Sequence, residues 1–299
     1  MSELWSRLGF LAIALVVYRI GTHIPIPGIN PEQVAALFQQ SQGTILQYFN
    51  LFSGGALERM SIFALSVVPY ISSAIVMQLF SNSVPYLQEL KKDGQAGRNK
   101  ITQYTRYGTV IFALIQSSAL TVTLQTAGLI DAGSIFSAFV AVISIVTGTM
   151  FLMWLGEQIS ERGIGNGISI IIATSIITGV PRAFGQALEQ TQQGDLNYLL
   201  LIVLAVLTLL VVAFVVFVEN AQRKITVNYA QRNQVRGMIQ APSSFLPLKL
   251  NMSGVIPAIF ASTFLLFPAS LSSWFGNIDG LGGLQEFSLY LNPGQPLYL

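Results

Sequence analysis

The stretch LLLIVLAVLTLLVVAFVVFV, residues 199–218, decides the fold class of this chain. Thr208 is its single polar residue, and about 20 apolar residues are enough for a helix to cross the hydrocarbon core of a bilayer. Because no water is available in that core to satisfy an open backbone, a segment of this kind crosses it as an α-helix. The sequence therefore predicts a membrane protein of the all-α class.

Six other segments have a similar length and apolar character. The seven predicted spans cover residues 8–24, 61–81, 105–127, 135–156, 166–184, 198–218 and 254–274. These runs are too long for the strands of a membrane barrel, which need about 9–11 residues. The first span is expected to be permanent and not a cleaved signal peptide, because Pro25 and Pro27 follow it in place of a small-residue cleavage site.

The composition agrees with a chain that uses lipid as part of its solvent. Hydrophobic residues make up 52% of the 299 residues and charged residues only 9%, whereas soluble domains carry about 25% charged residues. The chain contains no cysteine, which excludes disulfides, zinc–thiolate sites and cysteine nucleophiles.

Basic residues are distributed unequally between the two sides of the predicted membrane. Twelve of the 15 Lys and Arg residues lie on one side, and Arg19, Arg59 and Arg182 lie at or near the other. Since short loops rich in Lys and Arg stay in the cytoplasm, the N-terminus and the loop 219–250 are predicted to be cytoplasmic. Alternation within residues 224–229 predicts a β-strand in this loop, with residues 234–240 as a candidate hairpin partner. The basic loop is either a docking surface for a partner or a solvated loop that follows the charge rule.

A second unusual segment, FNLFSGGALERM at residues 49–60, precedes the second predicted span. It is amphipathic and too short to cross the membrane, and Gly54 and Gly55 allow a hinge. Two interpretations stay open: a short helix on the membrane surface, or a segment folded back into the protein. Polar residues and prolines in the second and seventh spans indicate contact with other helices or a cavity, or ordinary helix packing.

Signals for catalysis are weak throughout the sequence. His23 is the only histidine, so a two-histidine zinc motif is impossible, and neither a GxSxG elbow nor a Walker A motif is present. The glycine run at 163–167 lacks the spacing of a phosphate-binding loop. An intramembrane protease is therefore a remote alternative, and no metal or cofactor is expected. A secondary transporter for small solutes stays open, although no acidic residue lies deep in a predicted span.

Eight strings along the chain resemble the SecY/Sec61-alpha family, most closely its proteobacterial members. The strings are IPIPGIN (24–30), FSGGALERMSIFAL (52–65), PYIS (69–72), KITQYTRYGT (100–109), TGTMFLMWLGEQISERGIGNGISIII (147–172), VVFVENAQRKITVNYAQR (215–232), LPLKLNMSGVIPAIFAS (246–262) and LNPGQPLY (291–298). Their number, order and spacing make the resemblance specific over nearly the whole sequence.

The resemblance implies a fold of ten spans in two inverted halves around a central pore. The seven predicted spans correspond to the first seven, with residues 1–184 as the N-terminal half and residues 185–299 as part of the C-terminal half. The sequence ends where an eighth span is expected, so we expect a fragment that lacks the C-terminal spans and does not replace the full channel by itself.

The resemblance also implies a function and a set of partners. A family member is a channel subunit, not an enzyme, that passes unfolded secretory proteins across the bacterial inner membrane and releases membrane segments laterally. The implied partners are SecE and SecG, the SecA ATPase, the ribosome, signal peptides and preproteins, a membrane insertase and membrane lipids. Energy for transport is expected from these partners or from the membrane potential.

Matching the family motifs places four groups of site residues on this sequence. An apolar pore ring falls at Val67, Ile71, Ile168, Ile172 and Ile259. A plug between about residues 48 and 59 includes Phe49, Leu51, Phe52, Gly54, Gly55 and Leu57. Lateral-gate residues fall at Ser72, Gln116 and Asn251, and docking residues for SecA or the ribosome at Arg223, Lys224, Arg232 and Arg236. A ring of aliphatic side chains resists wetting, which keeps ions out of a closed pore.

Overall fold

The structure, a computed structural model, describes residues 2–29, 34, 50, 53–126, 128–129, 135–193, 197–227 and 244–251. The predicted seventh span at 254–274 lies outside these residues. The helices are α1 Ser2–Gly21, α2 Val68–Ser83, α3 Pro85–Lys92, α4 Gln95–Thr126, α5 Ile135–Arg162, α6 Gly167–Gln192 and α7 Tyr198–Asn220, followed by strands β1 Gln222–Val227 and β2 Ser244–Lys249. The predicted all-α class is confirmed, with one short hairpin added.

Five of these helices, α1, α4, α5, α6 and α7, are long and apolar enough to cross a membrane. They correspond to five of the predicted spans, although α4 begins at Gln95, ten residues before the predicted start at residue 105. A helix of 32 residues is about 48 Å long at 1.5 Å per residue, which exceeds the hydrocarbon thickness of about 30 Å. Part of α4 therefore extends beyond the membrane core, and its first turns carry the charged residues Arg98 and Lys100.

The second predicted span is shorter than its sequence indicates. The prediction placed a helix over residues 61–81 with Pro69 at its centre, but α2 begins at Val68 and Pro69 lies in its first turn. Proline fits there because the first turn of a helix needs no N–H donor. The 16 residues of α2 reach only about 24 Å, so residues 53–67 complete this part of the fold as hydrogen-bonded turns.

Helices α2, α4 and α5 pack side by side through small and polar residues. The hydroxyl of Ser73 in α2 donates to the carbonyl oxygen of Thr105 in α4 at 2.7 Å, and Arg106 of α4 pairs with Glu157 of α5 through two hydrogen bonds of 2.9 and 2.8 Å. Every fourth residue of α4 is small and buried over the sequence Thr105, Thr109, Ala113, Ser117 and Thr121. Small residues let membrane helices approach closely.

The turn between α5 and α6 contains the glycine run at residues 163–167. The side-chain oxygen of Asn166 accepts hydrogen bonds from the backbone N–H groups of Ile168 and Ser169 at 3.1 and 3.3 Å, which caps the start of α6. Ser160 also accepts from the N–H of Gly167 at 2.8 Å. The run is thus a turn between two helices, which agrees with its lack of the spacing of a phosphate-binding loop.

The described residues up to Ala183 form one compact unit, and those from Phe184 onward form a second. In the second unit, none of the residues of α7 is buried in the protein, as expected for a helix that faces lipid all round. Thr208, the single polar residue between Leu199 and Val218, donates its hydroxyl proton to the carbonyl oxygen of Leu204 at 2.8 Å. The polar group is therefore satisfied within the helix itself.

The hairpin follows α7 directly. Strand β1 confirms the predicted strand, but its described partner is Ser244–Lys249, whereas residues 234–240, the predicted partner, lie outside the described residues. Pro247 faces Lys224 across the ribbon, and a proline is tolerated at such an edge strand.

Gly148 of α5 provides a test of the contact between α5 and residues 61–67. A Cβ atom at this position would collide with the carbonyl oxygen of Ile62 and contact the ring of Phe63. We expect Gly148→Ala to destabilise the protein by about 1–3 kcal/mol, the usual cost of overpacking, measured as a lower thermal unfolding midpoint in detergent. The matched control is Gly9→Ala in α1, where nothing lies within 4 Å of the added atom; equal midpoints for the two variants would contradict the close contact.

Candidate functional site

Four of the five predicted ring residues lie within the described residues, in two pairs. Val67 precedes α2 and Ile71 lies in its first turn, joined by a backbone hydrogen bond of 3.1 Å from the N–H of Ile71 to the carbonyl of Val67. Ile168 and Ile172 lie in the first turns of α6. Spacing of four residues puts each pair on one face of its helix. The fifth residue, Ile259, lies outside the described residues.

These two faces meet in one apolar cluster, called here the central cluster. Its buried members are Ala14, Tyr18, Ala56, Phe63, Val67, Leu152, Leu155, Ile159 and Ile171, and its half-buried members include Ile71, Ile168 and Ile172. Val67 is 2% exposed, whereas the other three ring candidates keep part of their surface accessible. The structure thus brings all four described ring candidates into the same apolar contact region, between α1, α2, α5 and α6.

Residues 53–60, called here the folded-back segment, lie inside the protein and not on its surface. Ala56, Leu57 and Met60 are almost fully buried, with Ala56 in the central cluster and Leu57 in a second apolar cluster that includes Ile26 and Ile145. The expected short helix is not formed over these residues. They form a series of tight turns, in which Gly54 and Gly55 adopt positive φ angles of 65° and 80°.

Side chains close these turns where the regular backbone pattern is interrupted. The hydroxyl of Ser53 accepts from the N–H of Leu57 at 3.1 Å. The side chain of Asn50 accepts from the N–H of Glu58 at 3.1 Å and donates to the Glu58 carboxylate at 3.1 Å. The backbone N–H of Ile26 donates to the carbonyl of Met60 at 2.8 Å. These bonds satisfy backbone N–H groups that lie outside the regular helices.

Two helices, α1 and α6, contact the folded-back segment. The Tyr18 hydroxyl of α1 lies 2.5 Å from the hydroxyl of Ser175 in α6 and 3.4 Å from the carbonyl oxygen of Ser53. The Tyr18 ring also stacks on Phe63 with centroids 6.1 Å apart. A Cβ atom on Gly54 would lie 3.1 Å from the Cα of Ser175. The segment is therefore in close contact with the same helix that carries Ile168 and Ile172.

The charged side chains of the segment contact α6 and the turn that follows α1. The Glu58 carboxylate pairs with Arg182 of α6 at 2.7 Å. Arg59 lies 3.1 Å from Nε2 of His23, and Nδ1 of His23 lies 2.9 Å from the carbonyl oxygen of Arg19. His23 is thus part of a structural hydrogen-bond network. Among the described residues, no group of three His, Cys, Asp or Glu side chains is placed to hold a metal ion.

Of the predicted gate residues, Ser72 and Gln116 belong to the first compact unit and Asn251 to the second. Ser72 is buried on α2, and Gln116 of α4 has a side-chain oxygen that is buried without a hydrogen-bond partner among the described residues. No hydrogen bond between Ser72 and Gln116 is present in the described part of the chain. In the second unit, Asn251 donates its side-chain N–H to the Glu219 carboxylate at 2.7 Å.

The predicted docking residues Arg223 and Lys224 lie on β1, whereas Arg232 and Arg236 are outside the described residues. The two side chains point to opposite faces of the ribbon because successive residues of a strand alternate. Lys224 lies 5.9 Å from the ring centroid of Phe245. Arg223 shares its face with Ile225, Leu246 and Leu248, all of which are more than 40% exposed. The ribbon therefore presents apolar groups as well as positive charge to its surroundings.

Sequence reasoning did not identify Tyr18, Ser175, Glu58 or Arg182 as site residues. The charge count had separated Arg19, Arg59 and Arg182 from the other basic residues, which was the one available signal. It gave no indication that Glu58 pairs with a residue 124 positions later.

Comparison with known proteins identifies the class. A family model described as SecY matches residues 61–299. The protein translocase subunit SecY of Pseudomonas aeruginosa is 58% identical over 297 residues, which cover 99% of this chain and 67% of that protein.

Two solved structures resemble the fold. One is a SecY structure in which the plug domain is described as stabilising the closed state of the translocation channel and maintaining a membrane seal; it has a TM-score of 0.64 at 20% identity and covers 96% of this chain. The other is Sec61 in a canine ribosome–channel complex, with a TM-score of 0.62 at 19% identity. This chain spans 59% and 60% of the length of those two chains.

The fold is that of a multi-pass membrane channel subunit. The chain belongs to the SecY family. Members of this family are subunits of a protein translocase, so the prediction of a channel subunit in place of an enzyme is confirmed.

Gly54 provides a test of the contact between the folded-back segment and α6. Because the chain has no cysteine, Ala56→Cys supplies a single buried reporter whose labelling by a membrane-impermeant maleimide measures displacement of the segment. Gly54→Ala is expected to raise the labelling rate, since the added Cβ meets Ser175. It also costs about 1–2 kcal/mol for a left-handed backbone. Gly28→Ala is the matched control, with φ of 85° and nothing within 4 Å; an equal effect of both substitutions would contradict the contact with α6.

Proposed function

We propose that this chain forms part of a protein-conducting channel that passes unfolded secretory proteins across the inner (plasma) membrane of a bacterium and releases apolar segments laterally into it. The observation that carries this proposal is the central cluster, in which the ring candidates of α2 and α6 share apolar contacts with Ala56 of the folded-back segment. The names of the relatives support the same function.

The chemistry of the ring candidates fits a seal that has to admit many different sequences. Val67, Ile71, Ile168 and Ile172 carry no hydrogen-bonding groups, so a passing chain has no specific partner to satisfy. A narrow aliphatic constriction also excludes water when it is empty. The same residues would therefore prevent ion flow in the closed state and offer a non-selective lining in the open one.

The folded-back segment is proposed to be the plug of this channel. Its likeness to the SecY structure whose plug domain stabilises the closed state supports that role. The segment combines the buried residues Ala56 and Leu57 with the charged residues Glu58 and Arg59. Apolar contacts favour the closed position, while the charged residues are easily hydrated when the segment leaves. Phe49, Leu51 and Phe52, the other proposed plug residues, lie outside the described residues.

The lateral gate is proposed to involve Ser72, Gln116 and Asn251. Support comes from the packing of α2 against α4, which carry Ser72 and Gln116, and from the buried acceptor on Gln116. Interhelical hydrogen bonds in membranes contribute about 0.6 kcal/mol each on average. A gate closed by a few such bonds opens when a hydrophobic signal helix supplies more favourable contacts.

The N-terminus and the hairpin are proposed to face the cytoplasm, where SecA and the ribosome would bind. The excess of Lys and Arg on that side supports the orientation, and the exposed Arg223 and Lys224 support docking on anionic ribosomal RNA. A ribosome–channel complex is described for the canine Sec61 structure. SecE, SecG, signal peptides and preproteins, a membrane insertase and membrane lipids complete the proposed set of partners.

Substitution of Ile71 tests the proposed constriction. Ile71→Asp places a charge in the proposed aliphatic constriction, which favours entry of water. The ion conductance of the complete channel in planar bilayers is therefore expected to rise several-fold. Ile71→Leu preserves the apolar surface and should leave the conductance near that of the parent. An unchanged conductance in Ile71→Asp, with the protein present in normal amount, would contradict the ring assignment.

Neutralisation of the basic hairpin tests the docking proposal. Replacing Arg223, Lys224, Arg232 and Arg236 together by Gln should weaken binding to ribosomes or SecA, and the salt dependence of binding should become less steep because fewer counterions are released. The measurement is a co-sedimentation titration over a series of salt concentrations. A parallel replacement of Lys91, Lys92, Arg98 and Lys100 shows whether the effect is specific to the hairpin; equal losses from both replacements, or none from the first, would contradict it.

A further inference from the structure

Five titratable side chains meet where the folded-back segment contacts α1 and α6. We call this set the charged cluster, and it consists of Arg19, His23, Glu58, Arg59 and Arg182. Glu58 and Arg59 belong to the segment itself, whereas the other three belong to α1, the turn after it and α6. The cluster therefore contains one carboxylate and three guanidinium groups.

Glu58 connects the segment to α6 and also stabilises the turn in which it lies. Its carboxylate accepts from Arg182 at 2.7 Å and from the side-chain amide of Asn50 at 3.1 Å. The Glu58 side chain is 17% exposed and that of Arg182 is 56% exposed. Because one partner is mostly withdrawn from water, the attraction is screened less than in an ion pair between two fully exposed residues.

The positive charge of the cluster exceeds the negative charge that the described residues supply. Arg59 lies 3.1 Å from Nε2 of His23, and no carboxylate among the described residues forms a salt bridge with it. One terminal nitrogen of Arg19 is buried without a hydrogen-bond partner among the described residues. Burial lowers the pKa of Arg59, and the neighbouring Arg19 and Arg182 lower that pKa further, while Glu58 opposes them. Repulsion between Arg59 and the arginines of α1 and α6 thus opposes the closed position, whereas the ion pair between Glu58 and Arg182 favours it.

We propose that Glu58 is an electrostatic latch, a residue that holds the folded-back segment in the closed position by offsetting the repulsion between Arg59 and the arginines of α1 and α6. This inference rests on the proposed plug role of the segment. Removing the carboxylate removes this attraction and leaves the repulsion, so the closed position is held less strongly although its apolar contacts remain. A segment held this way leaves readily when a translocating chain separates Glu58 from Arg182.

The test measures displacement of the segment in the full chain with the single-cysteine reporter Ala56→Cys. Glu58→Gln keeps the size and hydrogen-bonding capacity of the side chain but removes its charge. We expect maleimide labelling to be about fivefold faster, the ratio that corresponds to the upper end of the range for a single ion pair. Labelling at the parental rate would overturn the proposal.

A double substitution distinguishes electrostatic balance from the simple loss of a contact. Glu58→Gln combined with Arg59→Gln removes both the attraction and the repulsion, so the labelling rate is expected to return towards that of the parent. If only contacts mattered, the double variant would label faster than Glu58→Gln alone, and that result would contradict the latch. Should Glu58→Gln fail to assemble, Arg59→Gln alone is expected to lower the labelling rate; an increase would contradict the proposal.

The pair Arg106–Glu157 supplies a matched control. It joins α4 and α5 at 2.8 Å, its glutamate is 18% exposed, and neither residue belongs to the charged cluster. Glu157→Gln should leave labelling of Ala56→Cys unchanged, and an acceleration equal to that of Glu58→Gln would show general loosening in place of a latch.

The latch and the plug role fail in different ways. Deleting residues 50–58 should raise the ion conductance of the complete channel without abolishing transport, if the segment is a plug. Raised conductance after the deletion, with unchanged labelling in Glu58→Gln, would reject the latch alone. Unchanged conductance after the deletion would reject the plug role, whatever the labelling shows.

Discussion

The need to satisfy every backbone polar group in a low-dielectric environment shapes the first compact unit. Helix α2 begins at Val68 with Pro69 in its first turn, and residues 53–67 before it are folded as turns instead of continuing the helix. Irregular backbone at membrane depth is tolerated only where protein or an aqueous cavity surrounds it. Here Asn50 and Ser53 close the turns with their side chains, and α1, α5 and α6 cover them. The turns of the folded-back segment therefore depend on these side chains and on the three surrounding helices to satisfy and cover their backbone polar groups.

Two kinds of interaction act on that segment, and they differ in how easily they are reversed. Burial of Ala56 and Leu57 is favoured because apolar surface leaves water, at about 25 cal/mol per Å². The hydrogen bonds at Tyr18 and Ser175 and the ion pair at Arg182 fix the orientation of the segment, because each requires a particular geometry. When the segment leaves, hydration of its charged residues is favourable, whereas contact of its apolar residues with water is unfavourable. This combination suits an element that is stable in place and can still be displaced.

Some of these features follow from local sequence and others do not. Helix α7 was predicted closely because a run of about 20 apolar residues has one stable arrangement in a bilayer. The start of α4 was missed because hydropathy falls at the membrane boundary, whereas the helical backbone continues to Gln95. The start of α2 was misplaced because residues 61–67 are as apolar as a span but are folded as turns around Ser66, whose φ is 51°. Glu58 and Arg182 are brought together only by tertiary packing, which no local pattern encodes.

The proposal that the aliphatic faces of α2 and α6 line the path of a translocating chain follows from their meeting in the central cluster. It is tested most directly by placing a photo-crosslinking amino acid at Ile71 or Ile172 in the complete channel and stalling a secretory protein in transit. The matched control position is Leu209 on α7, which is 71% exposed and is expected to face lipid. We expect crosslinks to the stalled chain from Ile71 and Ile172 and none from Leu209. Crosslinks to lipid alone from Ile71 and Ile172 would contradict it.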